Sequence, residues 1–364
     1  MDKQEMNIDP LFQNIAQLIE KGQQTIIRSI NYSQLYVNYH IGKYIVDDEQ
    51  DGIRRAQYGK RLIKTLSERL TSQYGMGFSA KNLELMRNFF LLFSKSQTLS
   101  ALLEPEQNKT VMESDAISQT VSAKLGPGNR PVWLSWSHYV FLMQVENLNE
   151  RSFYEIEALQ QNWSLREMKR QFNSGLFERL ALSRDKDGIR KLAKVGQVIE
   201  KPVDVLKEPL ILEFLNLKEQ YQYSEKELET AIIDRIQEFM LELGKGFLFE
   251  ARQKRITINE KHYHIDLTFY NRLLNCFVLI DLKIGELTHQ DIGQMQMYVN
   301  YYDRFIIEEN ENQTIGIVLC KQKDQTLVEM TLPVDNNQIF AAKYQTVLPN
   351  KEQLKQILEE GYNG

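Results

Sequence analysis

Two short runs constrain what this chain can fold into more than any other part of it. They are His264–Ile265–Asp266–Leu267–Thr268–Phe269–Tyr270 and Leu279–Ile280–Asp281–Leu282–Lys283, with Asp281 fifteen residues after Asp266. Each alternates apolar and non-apolar positions with period two, the pattern of a half-buried β-strand. The alternation predicts that Ile265, Leu267 and Phe269 share one face, that His264, Asp266 and Thr268 share the other, and that Asp281 and Lys283 lie together. With Asn271–Asn275 as a turn, the strands pair as a hairpin, and two carboxylates and one ammonium converge on a single face. Unpaired charge inside apolar strands is disfavoured by several kcal/mol, so such a cluster either pairs internally or holds a metal ion.

The flanking sequence adds further elements. Upstream, a helical stretch begins at Leu228–Glu229 and runs to about Leu243, followed by Gly244–Lys245–Gly246 and the strand-like Phe247–Leu248–Phe249. Downstream, a second helix carries Gln294 and Tyr298 one turn apart, and Ile315–Leu319 reads as another buried strand. This order of helix, three strands, helix and strand resembles the core of the PD-(D/E)XK nuclease superfamily. More narrowly, the runs ELGKGFLFEARQ, HIDLTFYNRLLNCFVLIDLKIGE and WSLREMKRQFNSGLFERL are similar to the bacterial YhcG-like nucleases, a resemblance that covers nearly the whole chain. Two positions depart from the commonest pattern: Ile265 stands where Pro is usual, and Asp281 where Glu is commoner. The family pattern tolerates both.

Cleaving a phosphodiester needs a nucleophilic water, neutralisation of charge on the phosphorus oxygens, and stabilisation of the departing alkoxide. A hard divalent cation supplies most of this. Mg²⁺ keeps several waters, so one or two carboxylates suffice to hold it. The resemblance therefore implies Mg²⁺, with Mn²⁺ as a substitute, held by Asp266, Asp281 and the backbone carbonyl of Leu282. Lys283 would orient the attacking water or stabilise transition-state charge; burial would lower its pKa and the aspartates would raise it. Glu229 matches the acidic residue of the superfamily's first helix, and Gln294 and Tyr298 would contact substrate or brace Lys283. His262 and His264, with no Cys partner nearby, are more simply polar surface or substrate-contacting residues, His264 sharing the face of Asp266.

The 364 residues are enough for two or three cores. The expected fold class is α+β and multidomain. Residues 1–202 form a helical DNA- or partner-binding region with helix–turn–helix-like segments and a polar loop at about 104–131. Residues 203–364 form a restriction-endonuclease-like α/β domain with a mixed central sheet. Asp9–Pro10 opens the first helix, and Asn350 caps the last. No apolar run reaches the ~20 residues that span a bilayer, and the start lacks signal-peptide features, so a cytoplasmic protein is expected, without membrane contact. Cys276 and Cys320 read as buried apolar residues.

The net charge of −5 hides two basic stretches. Residues 51–90 hold eight Lys or Arg against three acidic residues, and residues 164–194 nine against four. In the first, a helix from Tyr58 is broken by Tyr74–Gly75–Met76–Gly77, and Ser79 can cap a second helix to about Phe93. A second helix of that kind offers its first turns to the major groove, which nominates Lys81, Asn82 and Arg87. In the second stretch Ser164 opens a helix carrying Arg166, Lys169 and Arg170. The expectation is a metal-dependent deoxyribonuclease of endonuclease type. The alternatives are a catalytically silent DNA-binding or scaffolding protein built on a nuclease fold, and an RNA-directed nuclease. A homodimer would suit double-strand cleavage, since each site cuts one strand.

Overall fold

The computed structural model describes residues 9–51, 56–94, 134–182, 186–217 and 223–363. The polar segment 104–131 lies outside them. The chain forms two compact units, Met1–Arg151 with Ala158–Leu165, and Ser152–Glu157 with Arg166–Gly364.

The first unit is helical. It holds α1 (Asp9–Asp51), α2 (Ala56–Tyr74), α3 (Ala80–Phe93), α4 (Trp136–Leu142) and the ends of α5 (Leu148–Gln161). The helix, glycine turn and second helix expected from sequence are present. Gly75 and Gly77 adopt positive φ between α2 and α3, and the Ser79 hydroxyl accepts a hydrogen bond from the Asn82 amide at the start of α3. On α3, Leu83, Met86, Phe89 and Phe93 recur at helical spacing and are all buried. Leu83 and Met86 pack with Ile45 of α1 and Ile63 of α2. Gly42 lets α1 approach this closely, because a Cβ there would lie 2.1 Å from the Met86 carbonyl oxygen.

The second unit carries α6 (Leu165–Asn173), α7 (Leu176–Leu182) and α8 (Lys186–Val195), then β1 (Leu210–Ile211), α9 (Glu225–Asp234) and α10 (Ile236–Leu243). Next come β2 (Phe247–Ile258), β3 (Lys261–Asn271), β4 (Cys276–Glu286), α11 (His289–Phe305) and β5 (Ile315–Gln322). It ends with α12 (Gln325–Thr331), β6 (Ile339–Gln345) and α13 (Lys351–Asn363), the last opened by Asn350, whose side chain accepts from the Glu352 and Gln353 amides. Sequence places the domain boundary near residue 203; α6 to α8 precede it and cluster in the same compact unit as the sheet. The reason is ionic: Glu242 of α10 is fully buried and paired with Arg179 at 2.8 Å and Arg170 at 3.2 Å, and it also accepts the Ile211 amide.

The sheet has the order β1-β6-β5-β4-β3-β2, antiparallel from β2 to β4 and parallel from β4 through β5 and β6 to β1. One face is covered by α9 and α10 through Leu228, Ile232, Phe239 and Leu243, and the other by α11 through Ile292, Met295, Val299 and Tyr302. Strands covered on both faces read as near-continuous apolar runs, as Cys276–Leu282 and Ile315–Cys320 do.

Three sequence expectations need correction. The helix expected from Leu228 to Leu243 breaks at Arg235, whose backbone leaves the helical region, giving α9 and α10. β2 is not three residues but twelve, because most of its positions are exposed or half-exposed and lack apolar alternation. Ile265 does not share a face with Leu267 and Phe269: those two join the core under α9 and α10, while Ile265 joins the core under α11. The change of phase falls at Asp266, and it makes the site.

Candidate active site

The β3–β4 ladder runs from Asn271 opposite Cys276 to Leu267 opposite Ile280, where the paired register ends. Beyond that point the Leu282 amide donates to Asp266 Oδ2 at 2.8 Å. A side-chain carboxylate of one strand thus takes the place of a ladder carbonyl and is held beside Asp281. On the other flank of β3, Arg252 pairs with Leu267 and Lys254 with Ile265. Between them Gln253 has φ +49°, a left-handed conformation that costs a non-glycine residue of order 1 kcal/mol. Its amide nitrogen donates to Asp266 Oδ1 at 2.9 Å and to Glu229 Oε2 at 2.8 Å. Glu229 is buried in the middle of α9, and Arg252 Nε lies 2.8 Å from its other oxygen.

Asp281 is 3 % exposed. Lys283 Nζ approaches its Oδ2 to 2.9 Å, but off the hydrogen-bonding direction, so this oxygen has a cation beside it and no directed donor. Burial, reinforced by the neighbouring Asp266, pushes the Asp281 carboxyl up to about 7 despite Lys283. Burial works to lower the Lys283 pKa, but Asp281, then Glu225 and Asp291 at 3.9 Å each, outweigh it and raise the value. Of the two opposing effects that sequence left open, the carboxylates outweigh burial.

Asp266, Asp281, Lys283 and Glu229 are therefore brought together, with Leu282 between the second and third of them. Gln294 and Tyr298 sit alongside in another role. Gln294 donates to the Tyr298 hydroxyl, which donates to the His264 carbonyl at 3.0 Å. Tyr298 is fully buried, so it braces β3 two residues before Asp266 and is not a nucleic-acid contact.

The basic residues nominated from sequence divide in the same way. Lys81, Arg166 and Lys169 are exposed. Arg87 Nε pairs with Glu49 of α1 at 2.6 Å, and the Asn82 side chain donates to the Gly77 carbonyl and accepts from Trp136 Nε1 at 3.3 Å. Arg170 is absorbed in the buried network, on Glu213 at 2.8 Å and on Glu242. These three hold the fold together, which removes them as free phosphate contacts.

Among the described residues there is no cluster of three or more metal-binding side chains. A Mg²⁺ site does not need one, since two carboxylates, a carbonyl and water complete its octahedron. The donor set here fits: two adjacent hard oxygen donors, one of them buried without a directed donor and raised in pKa by burial and then by its partner.

Gln253 and Arg252 escaped sequence reasoning, because a β-bulge between Phe249 and Ala251 removes the period-two signal there. A Gln253→Gly variant should relieve the backbone while freeing both carboxylates. The expected result is unchanged or higher thermal stability with activity lower by about 10–100-fold, the usual cost of removing a group that orients metal ligands. Equal activity to wild type would show that the bridge is incidental.

The mixed sheet, the helix before it and the acidic pair beside a lysine define the PD-(D/E)XK class of nuclease folds. Residues 203–359 match the family described as the YhcG PDDEXK nuclease domain, and residues 14–179 match the DUF1016 N-terminal domain. A relative from Escherichia coli (strain K12), provisionally named nuclease YhcG, is 38 % identical over 362 residues, covering 96 % of this chain and 94 % of its own. The chain belongs to this YhcG-like family of PD-(D/E)XK nucleases. Two solved structures are more distant: a repair endonuclease from Pyrococcus abyssi (18 % identity, 36 % of this chain and 50 % of that one, TM-score 0.25) and an EndoMS–dsDNA2 complex (15 %, 37 % and 50 %, TM-score 0.26).

Proposed function

We propose that this chain hydrolyses phosphodiester bonds of DNA at the fork between β3 and β4. Asp266, Asp281 and the Leu282 carbonyl would hold Mg²⁺, for which Mn²⁺ can substitute. A Mg²⁺ ion bound there supplies an activated water at neutral pH and neutralises charge on the phosphoryl oxygens. Lys283, with three carboxylates beside it, orients the attacking water and faces the charge that grows on the phosphate. Glu229, tied to Asp266 through Gln253, would add a third carboxylate beside the pair. Tyr298 and Gln294 hold β3 in register with the site. The exposed Lys81 and Arg166 are basic residues able to meet phosphate.

The observation that carries this reading is the Asp266 carboxylate received by the Leu282 amide, which sets it beside Asp281 and Lys283. The test is cleavage of supercoiled plasmid, of a single-stranded DNA circle and of RNA, each with Mg²⁺, Mn²⁺ or EDTA. Wild type should cut DNA only with metal, and Lys283→Ala should fall by about 10²-fold or more, the typical loss of one charge-stabilising group. Cleavage of RNA alone would redirect the reading to an RNA-directed nuclease. Intact substrates throughout, with undiminished DNA binding in EDTA, would leave a binding module.

A further inference from the structure

Helix α1 is 43 residues long. Toward its C-terminal end, Leu35, Tyr39, Ile45 and Val46 are buried in the first unit. A helix packed on one side ordinarily turns a polar face to water. This one does not. Phe12, Ile19, Ile26, Ile30, Val37 and Tyr44 are each between 48 % and 69 % exposed. Val37 and Tyr44 lie about half a turn around the axis from Leu35 and Tyr39, at 100° per residue. The steps between the six residues are seven, seven, four, seven and seven. These are core positions of one heptad register, held for about five heptads, with one large apolar residue per heptad except at Ile26 and Ile30, where both core positions are filled.

We propose that this seam is the surface through which two copies of the chain associate, α1 against α1. The seam from Phe12 to Tyr44 runs about 48 Å at 1.5 Å per residue. A straight partner helix of equal length is needed to cover it. Among the described residues the next longest helix, α2, has 19 residues and spans only about 28 Å. A second copy supplies both the length and the period, and such pairing is self-complementary, as a two-fold interface requires. The area also suffices. Ile15 and Ile27 flank the seam and are exposed too, making eight large apolar side chains per copy. Each removes roughly 60–120 Å² from water when buried, so two copies remove about 1,000–1,900 Å², against the roughly 1,200–2,000 Å² of stable interfaces. Gln23, Ser33 and His40 fall on the same seam. In a coiled coil, polar residues at such positions fix register at some cost in stability.

The test is the mass of the full chain by light scattering after gel filtration and by sedimentation, for wild type, Ile26→Asp/Ile30→Asp and Ile26→Leu/Ile30→Leu. Wild type and the leucine variant should run at twice the chain mass and the aspartate variant at the single-chain mass, with the melting of the sheet-bearing unit unchanged. Wild type at single-chain mass up to its solubility limit would overturn the proposal and point to cover by the chain's own segment 95–133. An aspartate variant that stays dimeric would move the interface elsewhere. Neither readout depends on cleavage.

Discussion

Asp281→Asn should abolish cleavage and at the same time make the protein more stable. The loss is expected to reach about 10³-fold or more, because the variant gives up a charged ligand at the centre of the site. The gain follows from linkage. Burial and Asp266 raise the folded-state pKa of Asp281 to about 7, whereas an unfolded Asp titrates near 3.9. Between those values the folded state binds more protons than the unfolded state, so stability falls as pH rises through the window. Asparagine removes that penalty. The variant should therefore be more stable than wild type by about 1–3 kcal/mol above pH 7 and should lose the advantage as pH drops toward 4. Mg²⁺ works against that ranking. At about a hundredfold excess over its dissociation constant it should stabilise wild type by about 2.7 kcal/mol and leave the variant unmoved. Thermal melts with and without Mg²⁺ at pH 5 and pH 8 read both effects; equal metal-induced shifts in the two proteins would sink the assignment of Asp281 as a ligand.

The largest stability effect should come from a residue outside the site. Burial by itself would push the Glu242 carboxyl up, but Arg179, Lys207 and Arg170 overcome it and hold the group at about 2. The Arg179 and Glu242 side chains are both fully buried, and Lys207 donates to the Glu242 carbonyl. Glu242→Ala leaves these buried cations facing one another and should cost about 3–5 kcal/mol. Wild type itself should lose this contribution on acidification. A carboxylate with a depressed folded pKa stabilises above its unfolded value and loses that stabilisation as pH falls through the folded one. The window here lies from about pH 4 down to about pH 2. Urea unfolding at pH 7 and pH 3 checks both statements, and a loss below about 1 kcal/mol for Glu242→Ala at pH 7 would show that the network relaxes around the gap.

Sequence and structure agree where residue type and spacing are strained against each other. Asp266, Asp281 and Lys283 stand out because charge inside apolar strands is costly, and they do converge. Ser79 and Asn350 are legible as caps because their backbone bonds close within three residues. What sequence cannot display is a partner far along the chain. Arg87 and Arg170 look like members of basic patches, yet Arg87 meets Glu49 38 residues away and Arg170 meets Glu242 72 residues away. Tyr298 is misread for the same reason, since its hydroxyl serves a carbonyl on another strand. Gln253 is hidden differently: a bulge destroys the periodicity on which strand reading rests, and the left-handed backbone that aims its amide leaves no mark in residue type.

The bond from the Leu282 amide to Asp266 gives the chemistry an architectural tenant. Asp266 occupies a place in the sheet that a main-chain carbonyl would otherwise fill. A lineage that discarded cleavage and let this residue drift to an aliphatic one would leave a buried amide without an acceptor, at a cost of about 1–3 kcal/mol. Asp281 carries the opposite incentive, since its loss relieves repulsion. Degeneration of the site should thus proceed in order, with Asp281 yielding first and Asp266 persisting after function has gone.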